Sequence, residues 1–289
     1  MDMTMAFYPP LGCSTISFRH QDLLTALTTI RSLGFEEIDL GALPGVCNHV
    51  PFVLDDRAVA EVIGSILDSG LFVRSVNADI GDLNAVLTPS AQLEREEHLN
   101  KLLDLASGVG AKALVLPCGA LCHDPVVGLD EDLDRIVAEL KSAASRASER
   151  GIQLWVESLH FLRLSWNLDV CTKLHERLVG SDVGIVMDFS HLVASETDPV
   201  GFINRFAQMI QHVHLRDAVP GNINLSLGNG AVDFALGIQA LQAIRYQGHY
   251  SLELETRDIS DDERPEVTMA AARFITSLIG IPSLSGEQI

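Results

Sequence analysis

The sequence predicts a single-domain α/β fold, the closed (β/α)8 or TIM barrel, on three observations. Short Val-, Ile- and Leu-rich runs alternate with longer stretches of helical period from end to end of the 289 residues. Eight strand–helix units can be read, and continuously apolar strands need cover on both faces, which barrel closure supplies while removing the edges. The competing doubly wound sheet would carry a glycine-rich phosphate turn after its first strand, and Gly12-Cys-Ser-Thr-Ile-Ser-Phe has no GxGxxG. No proline- or serine-rich linker divides the chain, so one barrel over residues 1–281 is expected, with a loose tail from Pro282 to Ile289.

The first strand is read at Gly12 to Phe18 and the second at Glu37 to Gly41, with Gly34 between them as the C-cap of a helix. Gly70 ends the next helix and Phe72 to Asn77 follows as strand three. Thr88-Pro89 opens a helix as N-cap and first-turn proline, Gly110 closes it, and strand four is Ala113 to Pro117. Leu133, Ile136, Val137 and Leu140 keep a helical stripe that Gly151 terminates before strand five, Gln153 to Glu157. Strand six is Gly184 to Asp188; Asp198-Pro199 starts the helix that leads to strand seven, His212 to Arg216; strand eight is Tyr250 to Glu255.

Composition narrows the function. Thirty-nine acidic against 20 basic residues give a formal charge of −19, which repels nucleic-acid phosphates and anionic lipid. MDMTMAFYPPLG lacks the basic and apolar regions of a secretory signal, and no apolar run of about 18 residues occurs, so neither export nor membrane spanning is expected. Five dispersed cysteines suit a reducing compartment. A cytoplasmic enzyme is the expectation.

Barrel enzymes place their chemistry where the strands end. Here strand five ends on Glu157, strand six on Asp188, strand seven around His212 and His214, and strand eight carries Glu253 and Glu255. Three carboxylates converging on one mouth repel one another unless a cation compensates. One divalent metal ion (Mn, Mg, Co or Zn) is the economical solution, and the oxygen-rich set tilts towards the harder ions. His212 and His214 share a strand face, and the later one lies nearer the mouth. The same argument places Glu255 nearer the mouth than Glu253.

The motifs VESLH, MDFSH, HVHLRD and YQGHYSLELE resemble those of the xylose-isomerase-like barrel superfamily, which includes sugar-phosphate isomerases/epimerases, ketose 3-epimerases and inosose dehydratases. The resemblance spans nearly the whole chain, with four motifs in family order and spacing. It implies metal ligation by Glu157, Asp188, His214 and Glu253, the last because the family ligand follows the glycine matched by Gly248 by five residues. It implies substrate contacts from His160 and His191, and it puts Arg216 where the family often has lysine, as a planar donor to an anionic or enediolate oxygen. Glu157 and Glu253 are then the acid/base pair.

The implied activity is a metal-dependent sugar or keto-sugar isomerase/epimerase acting through a metal-stabilised enediolate. The same residues serve a dehydratase or lyase on an inosose or 3-keto-glycoside, or a non-catalytic sugar-binding barrel. An endonuclease IV-like DNA repair enzyme needs further histidines for a trinuclear site and contends with the −19 charge. The loops after strands one to four have few basic residues, so an unphosphorylated sugar, cyclitol or keto-glycoside is expected. The resemblance implies a homodimer or homotetramer.

Singly, Glu157 and Asp188 also read as helix caps or arginine partners, and His191 as a residue at a helix start. His212 reads as packed rather than as a ligand. Asp39 stands where the family's second strand often has glutamate, one methylene longer, which puts a sugar contact from that strand in doubt. Asn77 and Cys118 with His123 are read as lining the pocket, Asp79 as a solvated loop residue, and His98 and His175 as helix surface.

Overall fold

A computed structural model describes residues 10–280, so the expected tail, Pro282 to Ile289, lies outside the described residues. Eight parallel strands close in the order β1-β10-β7-β6-β5-β4-β3-β2. They are β1 (Leu11–Ser14), β2 (Glu37–Ala42), β3 (Phe72–Ala78), β4 (Ala113–Pro117), β5 (Gln153–Glu157), β6 (Val183–Asp188), β7 (Ile210–Leu215) and β10 (His249–Leu252). Around them lie α1 (Leu23–Ser32), α2 (Asp56–Ser69), α3 (Pro89–Gly108), α4 (Leu129–Ser148), α5 (Leu168–Leu178), α6 (Phe189–Ala194), α7 (Pro199–Phe206), α8 (Phe234–Ala243) and α9 (Arg264–Ile279).

Local chemistry explains these boundaries. Thr88 Oγ1 accepts the Ala91 amide at 3.3 Å, and Asp198 accepts the amides of Val200 and Gly201, each ahead of a first-turn proline. Gly70 ends α2 at φ 66°, a conformation that costs a β-carbon-bearing residue. The stripe Leu133, Ile136, Val137 and Leu140 of α4 is buried against the barrel, each side chain contributing about 1.5–3 kcal/mol.

Two expected strands are shorter. Gly12 to Phe18 leaves the sheet at Ser14, whose hydroxyl accepts the Ile16 amide and starts a 3₁₀ turn over Thr15–Phe18. Tyr250 to Glu255 leaves it after Leu252, where the ladders with β1 and β7 both end. One element was absent from the expectation: β8 (Asp217–Val219) and β9 (Asn222–Leu225) form an antiparallel hairpin beside α6. Asp217, buried, holds the loop that follows, accepting the amides of Ala218, Gly228, Gly230 and Val232.

His175 corrects the surface assignment: it is 2% exposed, and neither ring nitrogen has a protein partner. His98 is half-buried. Burial pushes the His175 pKa down to about 3. The folded state therefore binds this proton less readily than the unfolded chain, so the neutral ring's full contribution holds above the ordinary value of 6.5 and stability is lost as pH falls from there towards 3. His175→Leu removes the unpaired polar atoms and should raise stability by about 1–3 kcal/mol, with a gentler acid limb in urea unfolding measured between pH 7 and 4.

Candidate functional site

The register of the barrel brings the strand-end acids to one level. Asp188 pairs with His214, and His214 with Ser251, across β6, β7 and β10, while Glu157 ends β5 opposite Val186. One ligand atom each from Glu157, Asp188, His214 and Glu253 lies within 4.8 Å of the others, and all four residues are buried. His214 Nδ1 stands 3.1 Å from Glu157 Oε1 and 3.3 Å from Glu253 Oε2. Asn77 Nδ2 donates to Glu253 Oε1 at 3.1 Å, which fixes that carboxylate's orientation. Glu255 also lines the mouth but lies outside the group: the strand has already ended, and its carboxylate binds Arg19, Arg216 and Arg257 instead.

Electrostatics favour a cation here. Burial raises the Glu157 pKa, and the charges of Glu253 and Asp188 add to the rise. Burial would also raise Glu253, but His214 and Arg216 hold it below the ordinary value. Burial opposes protonation of His214, yet Glu253, Asp39 and Glu157 carry its pKa well above 6.5. Three carboxylates and one imidazole nitrogen aimed at the same space are a donor set that fits one divalent ion, with a proton on His214 holding part of the charge balance.

A pH dependence follows. Because the folded pKa of His214 is raised, the imidazolium's contribution to metal-free stability is complete below 6.5 and is lost as pH rises through the folded value. Cation binding must displace that proton, so affinity should change in the other direction and rise with pH. Calorimetry in two buffers of different ionisation enthalpy should show proton release at neutral pH; none would mean that His214 is not displaced.

Above the acids, the rings of His160 and His191 meet at a tilt of 32° with centroids 3.7 Å apart. The Leu162 amide donates to His160 Nδ1 at 3.3 Å and so places that ring's proton on Nε2, whereas His191 meets a donor at each nitrogen, the Phe161 amide at Nδ1 and Arg216 NH2 at Nε2, both at 3.2 Å. Burial, reinforced by neighbouring cationic side chains, lowers both pKa values well below 6.5, so both rings are neutral. Arg216 is buried, with NH2 2.9 Å from Asp188 Oδ2, NH1 3.3 Å from Glu255 Oε2 and Nε donating to Ser190 Oγ. Asp188 does cap α6, accepting the Ser190 amide at 2.6 Å, alongside its place in the acid group.

Glu157, Glu253, His160, His191 and Arg216 line a cavity of about 210 Å³ with Asn77, Leu43 and Ile223. Two lining arginines were missed by sequence reasoning. Arg163 holds Asp79 at 2.6 Å and the Gly119 carbonyl at 2.8 Å; Arg257 extends from the loop after β10 to Glu255. Asp39 does not reach the cavity; it is fully buried beneath His214. Of the residues expected to line the cavity after strands three and four, Asn77 does, whereas Cys118 is buried away from it and His123 stacks on Trp166. No helix among the described residues is long and apolar enough to cross a membrane.

Residues 27–278 match the family described as xylose isomerase-like TIM barrel. An inosose dehydratase of Lacticaseibacillus casei is 23% identical over 230 residues, spanning 69% of this chain and 76% of that protein. The 3-keto-D-glucoside 4-epimerase of E. coli superposes with a TM-score of 0.74 at 20% identity, covering 92% of this chain and 99% of that one. The IolI protein with a bound zinc atom superposes at 0.75 with 15% identity, covering 94% and 100%. With the match extending over most of its length, the chain belongs to the xylose isomerase-like TIM barrel family.

Proposed function

We propose that this protein is a divalent-metal-dependent epimerase or isomerase of an unphosphorylated keto-sugar. The observation that carries the reading is the convergence of Glu157, Asp188, His214 and Glu253 within 4.8 Å at the strand ends of the barrel. Three oxygen donors against one nitrogen favour Mn²⁺ or Mg²⁺ over Zn²⁺ or Co²⁺. When bound, the cation polarises a substrate carbonyl and stabilises the negative charge left by loss of the adjacent C–H proton.

The chain's own groups move that proton. Glu157 and Glu253 come from β5 and the end of β10, separated in the sheet by β6 and β7. One carboxylate removes the proton and the other returns it from the far face, which inverts the carbon between them. The Nε2–H of His160 donates to a substrate oxygen, and Arg216, held by Asp188 and Glu255 and in contact with His191 Nε2, lends positive charge beside it.

A second reading, loss of a β-hydroxyl from an inosose, is favoured by the likeness to inosose dehydratases. The two share the initial proton removal and diverge afterwards. Incubating the metal-loaded protein in D₂O with ketoses, inososes and 3-keto-glycosides tests both. Deuterium in recovered sugar with inversion supports epimerisation; an unsaturated product supports elimination. No exchange with any member despite bound metal would leave a sugar-binding barrel and overturn the catalytic reading. The free cysteines among the described residues accord with a reducing cytoplasmic setting.

A further inference from the structure

Beneath the four candidate ligands lies a polar layer that no substrate can touch. Asp39, His212, His214 and Ser75 are all essentially inaccessible. Asp39 Oδ2 accepts from His212 Nε2 at 2.8 Å and faces His214 Nε2 at 3.4 Å, while Ser75 Oγ donates to Oδ1 at 2.7 Å. His212 is braced in turn by stacking on Trp155, with centroids 5.6 Å apart. The two nitrogens of His214 thus face different layers: Nδ1 the acids Glu157 and Glu253, Nε2 the carboxylate of Asp39.

A carboxylate cannot donate a hydrogen bond, so Asp39 beside Nε2 favours a proton on that nitrogen, and the proton that a cation between the acids displaces is the one on Nδ1, which faces Glu157 and Glu253. Burial excludes water as a substitute partner. We propose that Asp39 is a positioning residue: it fixes the tautomer and ring orientation of His214, so that Nδ1 is the nitrogen offered to the metal. Ser75 and His212 hold Asp39 for this task. The inference rests on the proposed metal site and adds to it which nitrogen binds and what decides it. The short side chain at position 39 also gains a role here, because it ends under His214 instead of in the cavity.

Two measurements on the full-length protein test this. The first uses the wild type: ¹⁵N spectra of the histidine rings with Zn²⁺ as probe. The proposal expects His214 to show a zinc-bound Nδ1 and a protonated Nε2 whose proton is hydrogen-bonded and slow to exchange. Zinc on Nε2, or an Nε2 proton exchanging freely with water, overturns it. The second is calorimetric titration of Asp39→Asn with Mn²⁺. The carboxamide can keep one oxygen opposite both imidazoles but loses the negative charge that holds the Nε2 proton of His214, so Mn²⁺ affinity should fall about 10–100-fold, with the ring ¹⁵N shifts of His214 altered in the Zn²⁺ form.

A folded Asp39→Asn protein with wild-type affinity and unchanged His214 shifts refutes the positioning role. Should the variant fail to fold, the wild-type ring spectra still decide the question. Failure of the wild type to bind either ion is a different result, because it removes the metal site itself.

Discussion

Glu253→Gln abolishes turnover while leaving the barrel folded. The substitution removes a charge and a proton acceptor but keeps the shape, and the glutamine carbonyl still accepts from Asn77 Nδ2, which stands 3.1 Å from Glu253 Oε1. General-base catalysis contributes about 10²–10⁴-fold, and loss of one candidate ligand weakens the metal as well, so kcat should drop by at least about 10³. Unfolding free energy should change by less than about 1 kcal/mol, since His214 and Arg216 keep other acidic partners, Glu157 and Asp188. Solvent-deuterium exchange, circular dichroism and metal content measured together check this. Unchanged exchange with ordinary metal content would contradict the assignment.

Asp188→Ala has the second large effect, and it falls on both metal and fold. The change removes a candidate ligand, the acceptor for the Ser190 amide and the 2.9 Å partner of a buried Arg216. Glu255 at 3.3 Å remains to pair with Arg216, which limits the damage. Metal affinity should fall by about 100-fold, and the metal-free protein should lose about 3 kcal/mol. Asp188→Asn separates the two contributions. Its carbonyl still accepts the Ser190 amide, so the stability loss should be roughly halved while the affinity loss persists. Titration calorimetry and urea unfolding of both variants measure the difference.

Much of this architecture was written in local signals. Apolar runs bounded by Gly70, Gly110 and Gly151 marked where helices ended and strands began, and the residues at the ends of strands five to seven identified three of the four convergent donors. The fourth was harder. Alternation along strand eight pointed to Glu255 as nearer the mouth, and only the family pattern pointed to Glu253. The reason is that the sheet ends at Leu252, an event set by the lengths of β1 and β7 and invisible along β10 itself.

Other features depend on contacts far apart in the chain. Asp39 acquires its place from His212, 173 positions away, and Glu255 meets Arg19 across 236 positions. The β8–β9 hairpin has strands of three and four residues in a polar stretch, too short for a period to show. His175 was legible in principle. It lies four after Cys171 and three before Leu178, within the buried stripe of α5, but was assigned by residue type instead of by position.

The central claim is one cation held where β5, β6, β7 and β10 end. Its most direct test is anomalous diffraction from crystals grown with excess Mn²⁺. The account predicts a single strong peak bounded by Glu157, Asp188, His214 Nδ1 and Glu253. A map without density there, with His214 still bonded to Glu157 and Glu253, or with manganese bound only elsewhere, would contradict it.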